Sequence, residues 1–273
     1  TKEEMEKFGR RYNPCGEMYT DADGNKHYYT DQTDNYLQKN YQLLLNHSFS
    51  TAWNLNVALH YTKGDGYYEE YKPGSSLVEY GLKPFNPDGT ETNESDLVRQ
   101  KKMDNKFGGG VFSLNYTGNR LTASLGGGLN QYRGNNFGKV TWVKNYIGNL
   151  SPEHEYYRNK SKKTDGNIYL KANYDLTSTL SAYADLQYRH IDYTIDGVND
   201  KYDWNKNALR PLAVDKKFDF FNPKVGLNWN ITPNHRLYAS FSVAQKEPTR
   251  NNYTDGDPDS YPKAEKLLDR KSV

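Results

Sequence analysis

Phe221-Asn222-Pro223-Lys224-Val225-Gly226-Leu227-Asn228-Trp229-Asn230, followed by Ile231-Thr232-Pro233-Asn234-His235 and then Arg236-Leu237-Tyr238-Ala239-Ser240-Phe241-Ser242-Val243-Ala244, spells out a β-hairpin that continues to Glu247-Pro248-Thr249-Arg250. On the first arm Val225, Leu227 and Trp229 alternate with Lys224, Gly226, Asn228 and Asn230. That period of two puts one face of a strand against apolar surroundings and the other against water. On the second arm Leu237, Ala239, Phe241 and Val243 make the apolar row, against Arg236, Tyr238, Ser240 and Ser242. Thr232-Pro233-Asn234-His235 supplies the turn, since proline fixes φ and asparagine tolerates turn conformations. The arms are therefore antiparallel strands joined tightly.

Composition explains what such a hairpin belongs to. Hydrophobic residues are only 35% of the 273, and mean hydropathy is -1.03, yet the chain carries 25 Tyr and 4 Trp. Disordered chains are poor in aromatics, so polarity here does not signal disorder. A wet inner wall, polar loops and aromatic girdles give a membrane β-barrel just this balance. Nowhere is there the run of about eighteen apolar residues that a membrane helix needs. With 36 basic and 34 acidic residues the net charge is +2, which gives no ground for a nucleic-acid partner. The single cysteine, Cys15, cannot form an internal disulfide. Thr1 to Arg11 is charged and has no apolar core, so no secretory leader is legible and the natural N-terminus is expected to lie upstream.

Three further hairpins precede the first. Tyr41, Leu43, Leu45, His47 and Phe49 turn at Ser50-Thr51-Ala52 into Trp53, Leu55, Val57, Leu59 and Tyr61. Phe112, Leu114 and Tyr116 turn at Thr117-Gly118-Asn119 into Leu121, Ala123, Leu125, Gly127 and Leu129. Ile168, Leu170, Ala172 and Tyr174 turn over Asp175 to Thr179 into Leu180, Ala182, Ala184, Leu186 and Tyr188. Each strand spans about ten residues, the length that crosses a bilayer. Residues 1–34, 64–105, 133–165 and 191–217 are expected to be loops, and 245–273 shows no pattern. The expected fold is all-β: an antiparallel transmembrane β-barrel, of which the chain is an internal slice of about eight strands. Short turns outnumber long internal loops here, whereas a complete small barrel with both ends on the short-turn side would reverse that count.

No catalytic constellation is present. The six histidines lack any His-Glu-x-x-His setting, and no Cys-x-x-Cys or Gly-x-Ser-x-Gly occurs. His47 is assigned to the lipid face, His60 to the lumen and His190 to a strand end; His154 lies beside Glu153 and Glu155 in an expected loop, where solvated charge competes with a metal site. Asp21-Ala22-Asp23-Gly24-Asn25 lacks the remaining ligands of a calcium loop and reads as a turn. The glycine runs 108–110 and 126–128 sit in strands and lack the Lys-Ser/Thr or helix of a phosphate cradle; close packing on the inner wall explains them better. Lys171, Asp185, Arg189, Lys224 and Arg236 fall on the polar rows and should line a wet lumen, pairing across strands and contacting a plug. Tyr67, Tyr68, Tyr71, Trp142, Tyr146, Tyr156, Tyr157, Tyr202 and Trp204 fall in the expected loops, where they suit either ligand capture or an upper aromatic girdle. The residues that bind a ligand are not legible, and no cofactor or metal ligand is assigned.

Tyr238-Ala239-Ser240-Phe241-Ser242-Val243-Ala244, with Glu247-Pro248-Thr249-Arg250 and the later Pro262-Lys263-Ala264-Glu265-Lys266-Leu267-Leu268-Asp269, resembles a barrel segment of TonB-dependent outer-membrane receptors. The resemblance implies a barrel of about 22 strands closed by an N-terminal plug in the Gram-negative outer membrane. It also implies uptake of a scarce nutrient, such as an iron-siderophore complex, energised by TonB. Residues 1–273 would all belong to the barrel domain, with the plug and the C-terminal strands lying outside the chain. The implied partners are outer-membrane lipid, the receptor's own plug, the TonB complex and a small-molecule or metal-chelate ligand. Two other readings remain open at this point: a diffusion porin or other outer-membrane β-barrel, and a secreted soluble β-rich binding protein. None of the three is an enzyme.

Overall fold

The computed structural model describes residues 1–13, 15–83, 88–144, 154–256 and 262–272. Its dominant feature is a nine-stranded antiparallel sheet in strict sequence order. A short helix α1 (Lys2–Phe8) and a small hairpin of β1 (Glu17–Thr20) and β2 (Lys26–Tyr28) come first. The sheet then runs through β3 (Asp34–Ser48), β4 (Trp53–Ser76), β5 (Glu94–Thr117), β6 (Leu121–Val143), β7 (Glu155–Asp175), β8 (Leu180–Asp203), β9 (Ala208–Thr232), β10 (His235–Lys246) and β11 (Glu265–Ser272). A 3-10 turn follows β4, and helix α2 (Arg250–Thr254) lies between β10 and β11. The sheet is open, with β3 and β11 at its edges.

All four short turns stand where the sequence places them, and hydroxyls lock three of them. Ser50 Oγ accepts the amides of Ala52 and Trp53, each at 3.2 Å. Thr177 Oγ1 accepts those of Thr179 and Leu180 at 3.2 and 3.0 Å. Thr232 Oγ1 accepts the Asn234 amide at 3.3 Å. The Gly118 amide instead donates to the Leu121 carbonyl, at 2.8 Å. These side chains give the backbone at the turn the partners that the ladder no longer supplies.

The expected loops are the main correction. β4 and β5 are 24 residues each, β6 is 23, β7 is 21, β8 is 24 and β9 is 25, more than twice the length that crosses a bilayer. Most of 64–105, 133–165 and 191–217 is therefore strand, and Trp204 to Asn207 alone joins β8 to β9. Asn207 makes that tight turn possible by taking φ 48°, a left-handed conformation that asparagine tolerates. The expected terminal loop contains α1 and the β1–β2 hairpin, and the final stretch supplies α2 and β11, so the main sheet holds nine strands rather than about eight. His190 is correspondingly mid-strand in β8.

Register assigns the two faces. Leu45, Val57, Phe112, Gly127, Ile168, Tyr188 and Phe221 fall in or beside one outward row across β3 to β9. The outward side chains are exposed as a band: Leu43 67%, Leu129 63%, Leu170 47% and Leu227 49%. Aromatic rings border it. Trp53, Tyr174 and Trp229 lie on the short-turn side, and Tyr41, Tyr61, Tyr188 and Phe221 on the other, all exposed. This band matches the apolar belt and paired girdles of a membrane barrel. The girdle is thus built by strand residues near the band, and not by Tyr67, Tyr71, Tyr156 or Tyr157, which lie further along the same strands.

The opposite, inner face is polar near the short turns. Asn46, Asn54, Asn56, Ser113, Asn115 and Ser124 form a continuous hydrogen-bonded ladder across β3 to β6. Lys224 faces Asp185 at 4.0 Å, and Arg236 Nε donates to Asn230 Oδ1 at 3.0 Å. Lys171 Nζ lies 4.9 Å from the Tyr169 ring centre. Partners within the wall therefore satisfy these inward charges.

One glycine shows how tightly this wall is packed. A Cβ on Gly126 would lie 2.4 Å from the Tyr169 ring and 2.7 Å from the Phe112 carbonyl oxygen. The ring could swing away, but the carbonyl belongs to the ladder and cannot. Gly126→Val should therefore lower the unfolding midpoint in lipid, by an overpacking cost of about 1–3 kcal/mol. Gly166→Ala, at a glycine without positive φ where the nearest atom to that position is Leu129 Cδ1 at an ordinary 3.5 Å, serves as the reference; equal midpoints for Gly126→Val and the wild-type protein would refute the packing argument.

Candidate functional site

Above the membrane band the inner face changes character. In β8 the apolar positions run Leu180, Ala182, Ala184, Leu186 and Tyr188 on the outer row, but Ile191, Tyr193 and Ile195 on the inner one. Ile191 and Ile195 are 0% and 1% exposed, packed with Leu212, Phe220, Phe218 and Tyr253. What covers them is α2. The connection from β10 folds back over the inner wall, and Tyr253 of α2 meets Tyr193 with ring centres 5.9 Å apart.

The Glu247-Pro248-Thr249-Arg250 segment holds that fold-back in place. Glu247, 8% exposed, takes ion pairs from Lys163 of β7 and from Arg189 Nη1 of β8, the latter at 2.9 Å. Arg189 also clamps Asp165, with Nη2 to Oδ2 at 2.5 Å. Pro248 cannot continue the ladder, so β10 ends there. Thr249 then caps α2 through a reciprocal box with Asn252. Arg250 Nη2 donates to Asn159 Oδ1 at 2.9 Å, and Asn199 Nδ2 donates to the Thr254 carbonyl at 2.6 Å. Asn199, expected in a loop, is thereby buried in β8.

Between α2 and the wall lies a cavity of about 520 Å³, lined by Tyr36, Tyr68, Lys101, Met103, Asn136, Tyr157, Asp200, Arg250 and Asp255 among others. Lys101 of β5 is ion-paired with Asp200 of β8. Adjacent strands are about 4.8 Å apart, so this contact spans roughly 14 Å of sheet and requires the wall to curve toward the cavity. Burial alone would lower the Lys101 pKa, but the hydrogen bond to Asp200, the Asp200 charge and Tyr68 together outweigh it and hold the ammonium above the usual lysine value. Burial pushes the Tyr157 phenol up, so its O–H remains a donor. Asn136 Nδ2 and Arg250 Nε are buried N–H groups with no hydrogen-bond partner in the protein. Together these give a pocket with fixed positive donors and aromatic edges, suited to an oxygen-rich ligand.

A rigid apolar cluster supports the outer rim. Leu77, Tyr80, Leu82, Leu97, Val140, Tyr156 and Tyr157 are buried together around the start of β5. Arg99 joins it to Glu70, with Nη2 to Oε2 at 2.9 Å, and donates to the Tyr80 hydroxyl at 3.2 Å. Burial would raise the Glu70 carboxyl, yet the charges and hydrogen bonds of Arg99 and Lys72 together more than offset this and keep it below the usual carboxylate value. Tyr71 lies outside the wall, hydrogen-bonded to Asp96 at 2.7 Å and packed near Tyr29 and Trp142. Tyr202 and Trp204 meet edge to face at 4.8 Å. Tyr146 lies outside the described residues. Of the expected loop aromatics, the cavity thus gathers Tyr67, Tyr68 and Tyr157.

The remaining sequence candidates are satisfied structurally. His154 Nε2 bonds the Tyr80 carbonyl at 2.7 Å, His60 bonds Asn130 at 2.8 Å, and His190 bonds Asp219 at 2.7 Å. His47 stands beside Phe49, 4.6 Å between centres. Asp21 Oδ1 accepts the amides of Asp23 and Asn25, which makes that run a turn. Cys15 is free and exposed. Among the described residues no group of three or more His, Cys, Asp or Glu is placed to hold a metal ion.

Comparison with known proteins now decides the family. Residues 6–266 match the family model described as "TonB dependent receptor-like, beta-barrel". The chain belongs to the TonB-dependent receptor β-barrel family. Among solved structures, the wall resembles the ferric-catecholate import receptor Fiu of E. coli K12. The open form superimposes with a TM-score of 0.56 and 14% identity, covering 82% of this chain and 38% of Fiu. The closed form gives 0.56 and 13%, covering 94% and 42%. At that identity the likeness is one of fold. The chain spans about two fifths of the length of Fiu. No match is found among the curated proteins.

Proposed function

We propose that this chain forms part of the barrel wall of a Gram-negative outer-membrane receptor that takes up a scarce nutrient, such as an iron-siderophore complex, with energy delivered through TonB. Its plug and the strands that close the barrel would lie in other parts of the receptor, and it has no catalytic task. The observation that carries this reading is the inner-wall cavity beyond the membrane band, where Asn136 Nδ2 and Arg250 Nε present unpartnered donors beside Tyr68, Tyr157 and Lys101. A chelate rich in oxygen atoms would accept from those donors and lay flat groups on the rings. The family membership and the ferric-catecholate import assigned to Fiu agree with that choice.

The test is uptake of radiolabelled ferric-catecholate complexes by cells bearing the intact receptor. Asn136→Leu, close in shape but without the amide, should cut uptake at limiting ligand by on the order of tenfold, the worth of a lost buried hydrogen bond, with surface abundance unchanged. Uptake that persists without TonB would point to a diffusion porin and overturn the proposal. So would equal uptake by the Asn136→Leu and wild-type receptors.

A further inference from the structure

Four tyrosines line the inner-wall cavity, and three of them already have a partner on the ring. Lys102 Nζ stands 4.7 Å from the Tyr67 ring centre and Lys101 Nζ 5.9 Å from that of Tyr68, while Tyr156 meets Tyr157 edge to face at 4.9 Å. Tyr36 differs. Among the described residues no ring or cation packs on it, and it is 48% exposed.

Two glycines hold this ring down. Tyr36 lies on the inner row of β3, opposite Gly66 of β4, and both Gly66 and Gly64 are buried. The ring occupies the space that side chains at those positions would need: a Cβ on Gly66 would stand 2.7 Å from Tyr36 Cδ2, and one on Gly64 2.8 Å from Tyr36 Cζ. It therefore reclines along β4 and not over the open edge of the sheet, with Asn105 Nδ2 of β5 donating to its hydroxyl at 3.4 Å. A ring already laid down loses little further freedom when a ligand covers it. One register row joins it to the unpartnered donors. Across the cavity floor run Tyr36, Gly66, Met103, Asn136 and Asn159, and Asn159 holds Arg250. Three strand spacings, roughly 14 Å, separate Tyr36 from Asn136, so one chelate of that width can cover the ring and reach the donors together.

We propose that Tyr36, laid down by Gly64 and Gly66, is a specificity-determining residue of the cavity: it stacks on a flat aromatic arm of the ligand and selects aryl chelates over aliphatic ones of like charge. The proposal rests on the uptake reading above and adds which arms the chelate carries. A ring pair gains more than the area it buries, whereas an aliphatic arm on the same phenol gains the area alone.

The test is titration calorimetry on the intact receptor in neutral detergent, with a ferric tris-catecholate and with ferric citrate, which is also anionic but has no ring. Wild-type receptor should bind the tris-catecholate more tightly. Tyr36→Leu should weaken that binding by roughly three- to tenfold and shift ferric citrate by less than about twofold. Tyr36→Phe, which keeps the ring without its hydroxyl, should stay within about twofold of the wild type for both. Gly64→Ala presses only on side-chain ends, those of Tyr36 and Asn105, and should reproduce the loss by lifting the ring. In a Tyr36→Leu background it should add nothing. Tris-catecholate binding unchanged in Tyr36→Leu overturns the platform, as does an equal loss of both chelates or a loss in Tyr36→Phe as large as in Tyr36→Leu. A Gly64→Ala loss undiminished in the Tyr36→Leu background overturns the part given to the glycines. Binding of ferric citrate without the tris-catecholate overturns the aryl selection and leaves the uptake reading standing. A folded receptor that binds neither chelate sinks that reading, and the platform falls with it.

Discussion

Leu186→Arg in the intact receptor should lower folded yield and the unfolding midpoint in lipid, while Gln187→Arg next to it should change both little. Leu186 lies opposite Leu170 and Pro223 on the outward row and is 40% exposed, a fraction that hydrocarbon would cover. An arginine on the lipid face near the midplane costs about 2–4 kcal/mol. Gln187 points the other way, accepting from Asn222 Nδ2 at 3.4 Å, beside Asp185 and Lys224 on the inner wall. An arginine there stays hydrated or takes Asp185 as a partner. Leu227→Arg against Asn228→Arg should repeat the contrast on β9, since Leu227 faces outward with Ala182 and Asn228 inward with Ser181. Chemical unfolding in vesicles measures all four. Greater damage from the inner-row substitutions at both sites would mean the faces are reversed, and equal damage on both rows would indicate a soluble sheet covered on two sides.

The membrane half of this wall was legible because one row of each strand must be apolar over about ten residues and the other must not. Turns, faces and order of the four hairpins follow from that contrast alone. The outer half was not legible, and β8 and β9 show why. In β8 the apolar row moves from even to odd positions between Tyr188 and Ile191, and in β9 it moves from even to odd between Phe220 and Phe221. The strands continue unbroken, but the environment of their faces exchanges: lipid gives way to water outside, and water gives way to α2 inside. A search for one uniform alternation ends at the crossing and sees a loop. Lys163 and Asp165 were missed for the same reason, and the Glu247-Pro248-Thr249-Arg250 run was noticed without its task being readable. That task depends on partners 58 and 84 positions away in sequence, on neighbouring strands that no local pattern connects.

Glu247→Leu should release α2 from the inner wall. The carboxylate is 8% exposed and neutralises both Lys163 and Arg189, whose side chains are 29% and 24% exposed. Removing it leaves Arg189 its pair with Asp165 but leaves Lys163 without a carboxylate partner. Breaking a fully buried pair costs about 3–5 kcal/mol, and the residual water access of the two cations brings the expected loss down to about 2 kcal/mol. Because the contact is made by a connection and not by the ladder, the loss should be local before it is global. Hydrogen exchange at the Asp255 amide, which donates to the Asn251 carbonyl at 2.8 Å, should accelerate by on the order of tenfold or more, while β8 and β9 amides near the short turns keep their protection. Combining Glu247→Leu with Lys163→Met removes the unpaired charge and should restore part of the protection, so that the two changes together cost less than their sum. Strict additivity, or α2 exchange unchanged in Glu247→Leu, would show that Arg250 and Asn199 alone hold the segment and that the buried glutamate has no part in closing the cavity.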